Sequence, residues 1–222
     1  NGLEILKKKA TGYISYLRGE NPFSFPFRLY PQKRYDDKVL IHDQMPSKQM
    51  DGKDIEQIDK IKHLTLVGSK LSPYQLKRYM QLVPILRKDT IEETSEGGYA
   101  EIEKGLQSLN ITYPTLKDTD NFYGSYGFDN CFSSNEDKNK FKYKPEILDK
   151  FGAFLDLDSI GEYSSKYKSI IEYIMNSEGI VYIYSQFIQG GILPLALALE
   201  QNGYERYGSK SNQLLDQSSK KI

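Results

Sequence analysis

The most constraining feature of this chain is the tract from 163 to 209, where three elements can be read in order. Ser164 and Ser165 open a segment whose apolar residues Tyr167, Ile170, Ile171, Ile174 and Met175 recur at helical spacing. Asn176 to Gly179 stop it. GIVYIYSQF (179–187) is then a nearly continuous β-branched and aromatic run. Such a run predicts a strand buried on both faces, as in a parallel sheet. Gly190-Gly191 turn the chain into LPLALALEQNG, a helix with Pro194 near its start and Gly203 as its stop. Helix, two-sided strand, helix is a piece of an α/β fold with a parallel sheet.

Upstream the pattern is less regular. Leu3, Leu6, Ala10, Tyr13, Ile14 and Leu17 suit a helix over 3–19, closed by Gly19 and Pro22. In FSFPFRLYPQ, Pro26 and Pro31 favour an extended aromatic segment over a central strand. HLTLVGS (63–69) alternates as a strand does. Ser72-Pro-Tyr-Gln75 is a capping box, predicting a helix from 73 to the high 80s with Tyr79, Leu82, Val83 and Leu86 on its apolar face. A short helix is expected near 99–109. Gly, Asn, Ser and Lys dominate 117–145, which predicts a mobile loop.

Composition narrows the classes. With 222 residues the chain is long enough to bury a core without staples. One cysteine, Cys131, precludes an internal disulfide, and His42 and His63 are too few for a structural zinc site. A reducing compartment is the default expectation, and no run of 18 apolar residues suggests a membrane span. The 30 basic residues balance the 30 acidic ones. The balance conceals a net +5 over 1–35 and a net −5 over 89–105, so a local nucleic-acid contact stays open. The 24 Lys against 6 Arg, and the 18 Tyr without Trp, read first as an AT-rich coding bias. Gly-x-x-x-x-Gly-Lys-Ser/Thr, His-Glu-x-x-His, Cys-x-x-Cys and Gly-x-Ser-x-Gly are all absent. Cys131, without a histidine nearby in sequence, reads as a free, non-catalytic thiol.

The 163–209 tract resembles the start of the second RecA-like lobe of superfamily 2 helicases and Swi/Snf-type translocases. Ser164-x-Lys166 opens a helix, a strand ends in Tyr-Ser-Gln-Phe (184–187), and a helix leads to Gly203-Tyr204. The wording is most similar to helicases of large nucleocytoplasmic DNA viruses, of the poxvirus early-transcription-factor and nucleoside-triphosphatase type. GYISYLRGENPFSFPFRLYP (12–31) resembles the segment linking their lobes. HLTLVGSKLSPYQLKRYMQL (63–82) resembles the strand and helix before the second lobe, and LQSLNITYP (106–114) a stretch that follows. Together these tracts span roughly a third to a half of the chain, in the family's order.

The resemblance implies an internal fragment of an ATP-dependent helicase or translocase acting in viral transcription. It divides the chain into an inter-lobe linker (1–62), a helical and irregular lead-in (63–162) and the first part of the second lobe (163–222). The fold it implies is α/β, a partial RecA-like parallel sheet with flanking helices behind a mixed helical and irregular segment. A chain starting at Asn1 fits a fragment. Ser185 and Gln186, at a strand's C-terminal end, Lys166 and the linker Arg18 are the candidate nucleic-acid contacts. The phosphate-binding loop, the acidic magnesium-binding motif and the second-lobe arginines lie outside the resemblance. No catalytic residue, cofactor site or metal site is therefore expected here, while ATP and Mg belong to the parent. Implied partners are DNA or RNA, the first lobe of the parent and a viral RNA polymerase, in host cytoplasm or virion and without a membrane. The alternatives are a non-enzymatic interaction subunit on the same α/β scaffold and a Rossmann-like enzyme. The lack of a Gly-rich first βα turn argues against the latter.

Overall fold

In the computed structural model the described residues are 2, 4–5, 47–48, 53–57, 66–91, 97–118, 120–135, 139–208 and 213–216. The chain divides into two compact units, 1–44 with 62–67, and 45–61 with 68–222. In the first unit Gly2, Glu4 and Ile5 are helical, and Leu66 and Val67 are also described. The rest of the expected 3–19 helix, the tract 12–31, Arg18, His42 and His63 lie outside the described residues. Of the expected strand 63–69, only 66–69 is described, and it holds a bridge position at Val67 rather than a ladder.

The second unit is a mixed helix and strand assembly. Its elements are α1 (Pro73–Ile91), α2 (Gly97–Asn110), α3 (Gly124–Cys131), β1 (Phe132–Ser134), β2 (Phe141–Tyr143), α4 (Pro145–Phe151), α5 (Leu157–Tyr163), α6 (Ser165–Met175), a π-helical turn (Ile188–Ile192) and α7 (Leu193–Gln201). β1 and β2 pair antiparallel with Phe132 opposite Tyr143 and Ser134 opposite Phe141. The connection closes on Asn135, whose Oδ1 accepts from the amides of Asn139 and Lys140, each at 3.0 Å. Residues 213–216 run beside β2: Leu215 forms a parallel bridge with Phe141. The buried Glu200 carboxylate accepts the amides of Leu214 at 3.0 Å and Leu215 at 2.7 Å, tying this segment to the end of α7.

Helix ends follow their local chemistry. Ser72 Oγ accepts the Gln75 amide at 3.0 Å, and Ser164 Oγ the Tyr167 amide at 3.0 Å. α7 ends in a Schellman motif: Gly203 has φ +96°, Tyr204 N–H reaches Leu199 O and Gly203 N–H reaches Glu200 O. The Gln75 side chain does not close the expected capping box. Its Oε1 accepts instead from the amide (2.9 Å) and hydroxyl (3.0 Å) of Ser165, so α1 is tied to the first turn of α6.

The buried stripe of α1 is Gln75, Arg78 and Leu82, with Tyr79 and Val83 half-buried. Arg78 explains the departure from a purely apolar face. Its guanidinium lies 5.3 Å from the Phe122 ring centroid and 5.7 Å from that of Tyr74. It donates to Thr115 Oγ1 and, at 3.1 Å, to Asp118 O, and pairs with the exposed Asp118 carboxylate at 3.2 Å. Every contact fits a planar cation held between rings.

The core is aromatic. Phe128 stacks on Phe132 at 4.9 Å, Phe132 meets Tyr143 at 4.8 Å, Tyr143 meets Phe154 at 5.4 Å and Phe154 meets Tyr163 at 5.3 Å. Ile111, Ile147, Leu155, Ile160, Ile171 and Leu197 fill the space around them. The irregular loop expected over 117–145 is therefore corrected: α3, β1 and β2 lie within it. Its phenylalanines and tyrosines are widely spaced among turn-forming residues, so composition averages concealed them. Phe122, Phe128, Phe132, Phe141 and Tyr143 are all buried.

The two-sided strand expected over 179–187 is the second correction. These residues form no ladder, the chain bends at Gly179 and Gln186, and among the described residues no strand runs beside them. Ile183 packs on the core, while Ile180, Tyr182 and Tyr184 are 103%, 86% and 76% exposed. Ser185 and Phe187 are half-buried and Val181 is 45% exposed, so one side of the run is partly covered and the other is bare. The sheet in this unit is a two-stranded antiparallel pair; no helix among the described residues is long and apolar enough to cross a membrane.

Candidate functional site

Three of the four sequence-derived candidates lie at or next to the turn between the apolar run and α7. Three successive carbonyls of this turn are each held by a buried or half-buried side chain. Tyr113 Oη donates to Gln189 O at 2.5 Å, Asn110 Nδ2 to Gly190 O at 3.0 Å, and Tyr167 Oη to Gly191 O at 2.5 Å. Burial pushes the Tyr113 and Tyr167 hydroxyls well above the usual phenolic range, so both remain donors at any physiological pH. The glycines are needed for close approach. A Cβ on Gly190 would lie 2.4 Å from Gln107 Oε1, and one on Gly191 would lie 2.3 Å from Ser185 Oγ.

Lys166 reaches this turn through one intermediary. Its Nζ donates to Asn110 Oδ1 at 2.8 Å, and the same amide holds Gly190 O. Loss of hydration lowers the Lys166 pKa from its ordinary value. Ser185 approaches from the other direction and packs against Gly191. Its hydroxyl is engaged locally, accepting the Phe187 amide at 3.2 Å and facing Phe187 O at 3.2 Å. That geometry shapes the turn and does not aim the hydroxyl at a ligand. Gln186 is exposed beside it. The structure thus brings Lys166, Ser185 and Gln186 to one braced turn, while Arg18 lies outside the described residues.

Asn110, Tyr113 and Tyr167 were not singled out from the sequence. Asn110 is the last residue of α2 and Tyr113 follows three residues later; nothing in a single sequence marks them as reaching residues 189–191. The signal available was the LQSLNITYP tract itself, which contains both.

Cys131 is fully buried with its thiol 3.4 Å from Pro114 O, and burial raises its pKa far above the usual thiol value. It is a core side chain with no nucleophilic character. The sequence lacks the phosphate-binding loop; among the described residues no three His, Cys, Asp or Glu side chains converge.

No protein-family description, curated protein or solved structure matches this chain.

Proposed function

We propose that this chain is part of a superfamily 2, viral-type helicase or translocase, reaching from the inter-lobe linker into the second RecA-like lobe. The observation that carries the reading is the order α6, apolar run, braced turn, α7. It supports the ordered tracts quoted from the sequence, with Gln186 and the first amides of a helix following the apolar run. In that position they are suited to contact a nucleic-acid backbone. Lys166 supplies a cation one side chain away from the same turn.

On this reading the bare face and unpaired edges of residues 179–187 belong to a parallel RecA-like sheet completed by further strands of the parent. The isolated chain binds single strands weakly and in a salt-dependent way, because few phosphates are contacted. ATP and Mg act in the parent, together with its first lobe and, in transcription, a viral RNA polymerase. The second reading, a non-enzymatic interaction subunit, is favoured by one observation: the same uncharged, exposed run would serve as a docking strand.

The test is enzymatic. The full product of the gene's reading frame should hydrolyse ATP faster when single-stranded nucleic acid is added, and the 222-residue chain alone should not hydrolyse it. Robust hydrolysis by the isolated chain, or none by the full product, contradicts the proposal.

A further inference from the structure

Two cavities beside the β-hairpin share a wall and differ in charge. The first, about 400 Å³, has the rings of Phe128, Phe132 and Phe141 in its lining and Asp129, Gln189 and Ser134 as its polar groups. Its volume lies in the range of small-ligand sites. The second, about 160 Å³, is lined by Lys140, Lys142 and Asp216, with Ser134 and Phe141 common to both. One end therefore carries a carboxylate on an apolar lining of Ile188, Leu193 and the edges of buried rings, and the other carries two exposed lysines against one acid.

The geometry points to a binding site for one nucleotide unit with an amino-bearing base. The base occupies the aromatic cavity and its phosphate lies over Lys140 and Lys142. The charge distribution selects this occupant. A phosphate is repelled by Asp129 at the first end and attracted by the lysines at the second. At the first end the carboxylate favours a donor edge, such as the exocyclic amine of cytosine, and disfavours the carbonyl that uracil presents at the same place. Gln189 Nε2 donates to Asp129 Oδ1 at 3.1 Å, which fixes the orientation of both polar groups. Gln189 also belongs to the braced turn, since its carbonyl accepts from Tyr113. A strand whose backbone passes the turn would thus have a base within reach of the cavity. The choice of a nucleotide over another amino-bearing aromatic rests on the translocase reading; the charge selection does not.

Titration of the full 222-residue chain with cytidine monophosphate, uridine monophosphate, cytidine and inorganic phosphate tests this, followed by NMR or calorimetry. Cytidine monophosphate should bind in the millimolar range, about tenfold more tightly than uridine monophosphate, with cytidine weaker and phosphate weaker still. Asp129→Asn, at an exposed position, should abolish the preference for the cytosine base. A Lys140→Ala/Lys142→Ala double variant should bring cytidine monophosphate down to the level of cytidine and leave cytidine itself unchanged. Equal binding of the two monophosphates to the unaltered chain would overturn the assignment whatever the variants do. So would phosphate binding as tightly as the nucleotide, or no nucleotide binding at millimolar concentration. A full-length product without ATPase activity would sink the translocase reading and leave this result standing. Absent nucleotide binding would sink the site and leave the ATPase result standing.

Discussion

Residues 122–143 and residues 179–188 are both rich in aromatic side chains, yet the first stretch closes a core and the second lies bare. The difference is in what separates the apolar residues. In the first stretch, Gly124 at φ +61° and the Asn135 connection turn the chain back within a few residues. Phe132 thereby finds Tyr143 opposite it in an antiparallel pair. Its ladder partner is local, so the loop-closure cost is small. In the second stretch the chain leaves the run directly into a helical turn and α7, with no strand beside it among the described residues. The peptide groups of 180–184 make no backbone–backbone hydrogen bond among the described residues.

The contrast can be broken at its strongest point first. Phe154→Ala removes a fully buried ring that meets Tyr113, Phe132, Tyr143 and Tyr163, and should cost about 3–5 kcal/mol in denaturant unfolding. Arg78→Ala should cost about 2–4 kcal/mol, because Thr115 loses its donor and the space between two rings empties. Asp118→Ala, on the exposed partner of the same pair, should cost less than about 1 kcal/mol.

Alkaline pH probes the core next. Tyr113, Tyr143 and Tyr167 have hydroxyls raised above 10.0 by burial, so the folded state favours their neutral form. Their contribution is fully present below pH 10. It declines as pH rises beyond that value, by up to about 1.4 kcal/mol per pH unit for each tyrosine. A pH series of unfolding midpoints above 10 reads it. The smallest effect belongs to the bare face: Tyr182→Lys with Tyr184→Lys should change stability by less than about 0.5 kcal/mol. The same double change should reduce self-association at high concentration, measured by sedimentation.

The helices were legible where caps and stops are local. Ser72-Pro73 starts α1, Ser164 starts α6, and Pro194 and Gly203 bracket α7, all as their residue types require. Two other features were not. Gln75 and Arg78 look like surface positions in a helical pattern and are buried because each meets partners about 40 or 90 residues away, which no local pattern reveals. The run at 179–187 was read as a strand buried on both faces, but it forms no ladder and is largely exposed, because a strand's neighbours are a tertiary property. Among the described residues they are not there. The candidate site shares this division. Ser185, Gln186 and Lys166 came from order and spacing, whereas Asn110, Tyr113 and Tyr167, which hold the turn in place, required the fold.

Hydrogen exchange at residues 180–184 tests the central claim most directly, that this run awaits strands from the rest of a RecA-like lobe. In the isolated chain these amides should exchange at nearly unprotected rates, while Phe141 and Tyr143 remain protected. In the full product of the reading frame they should become as slow as those in the core. Strong protection at 180–184 in the isolated monomeric chain, or none in the full product, would contradict the account.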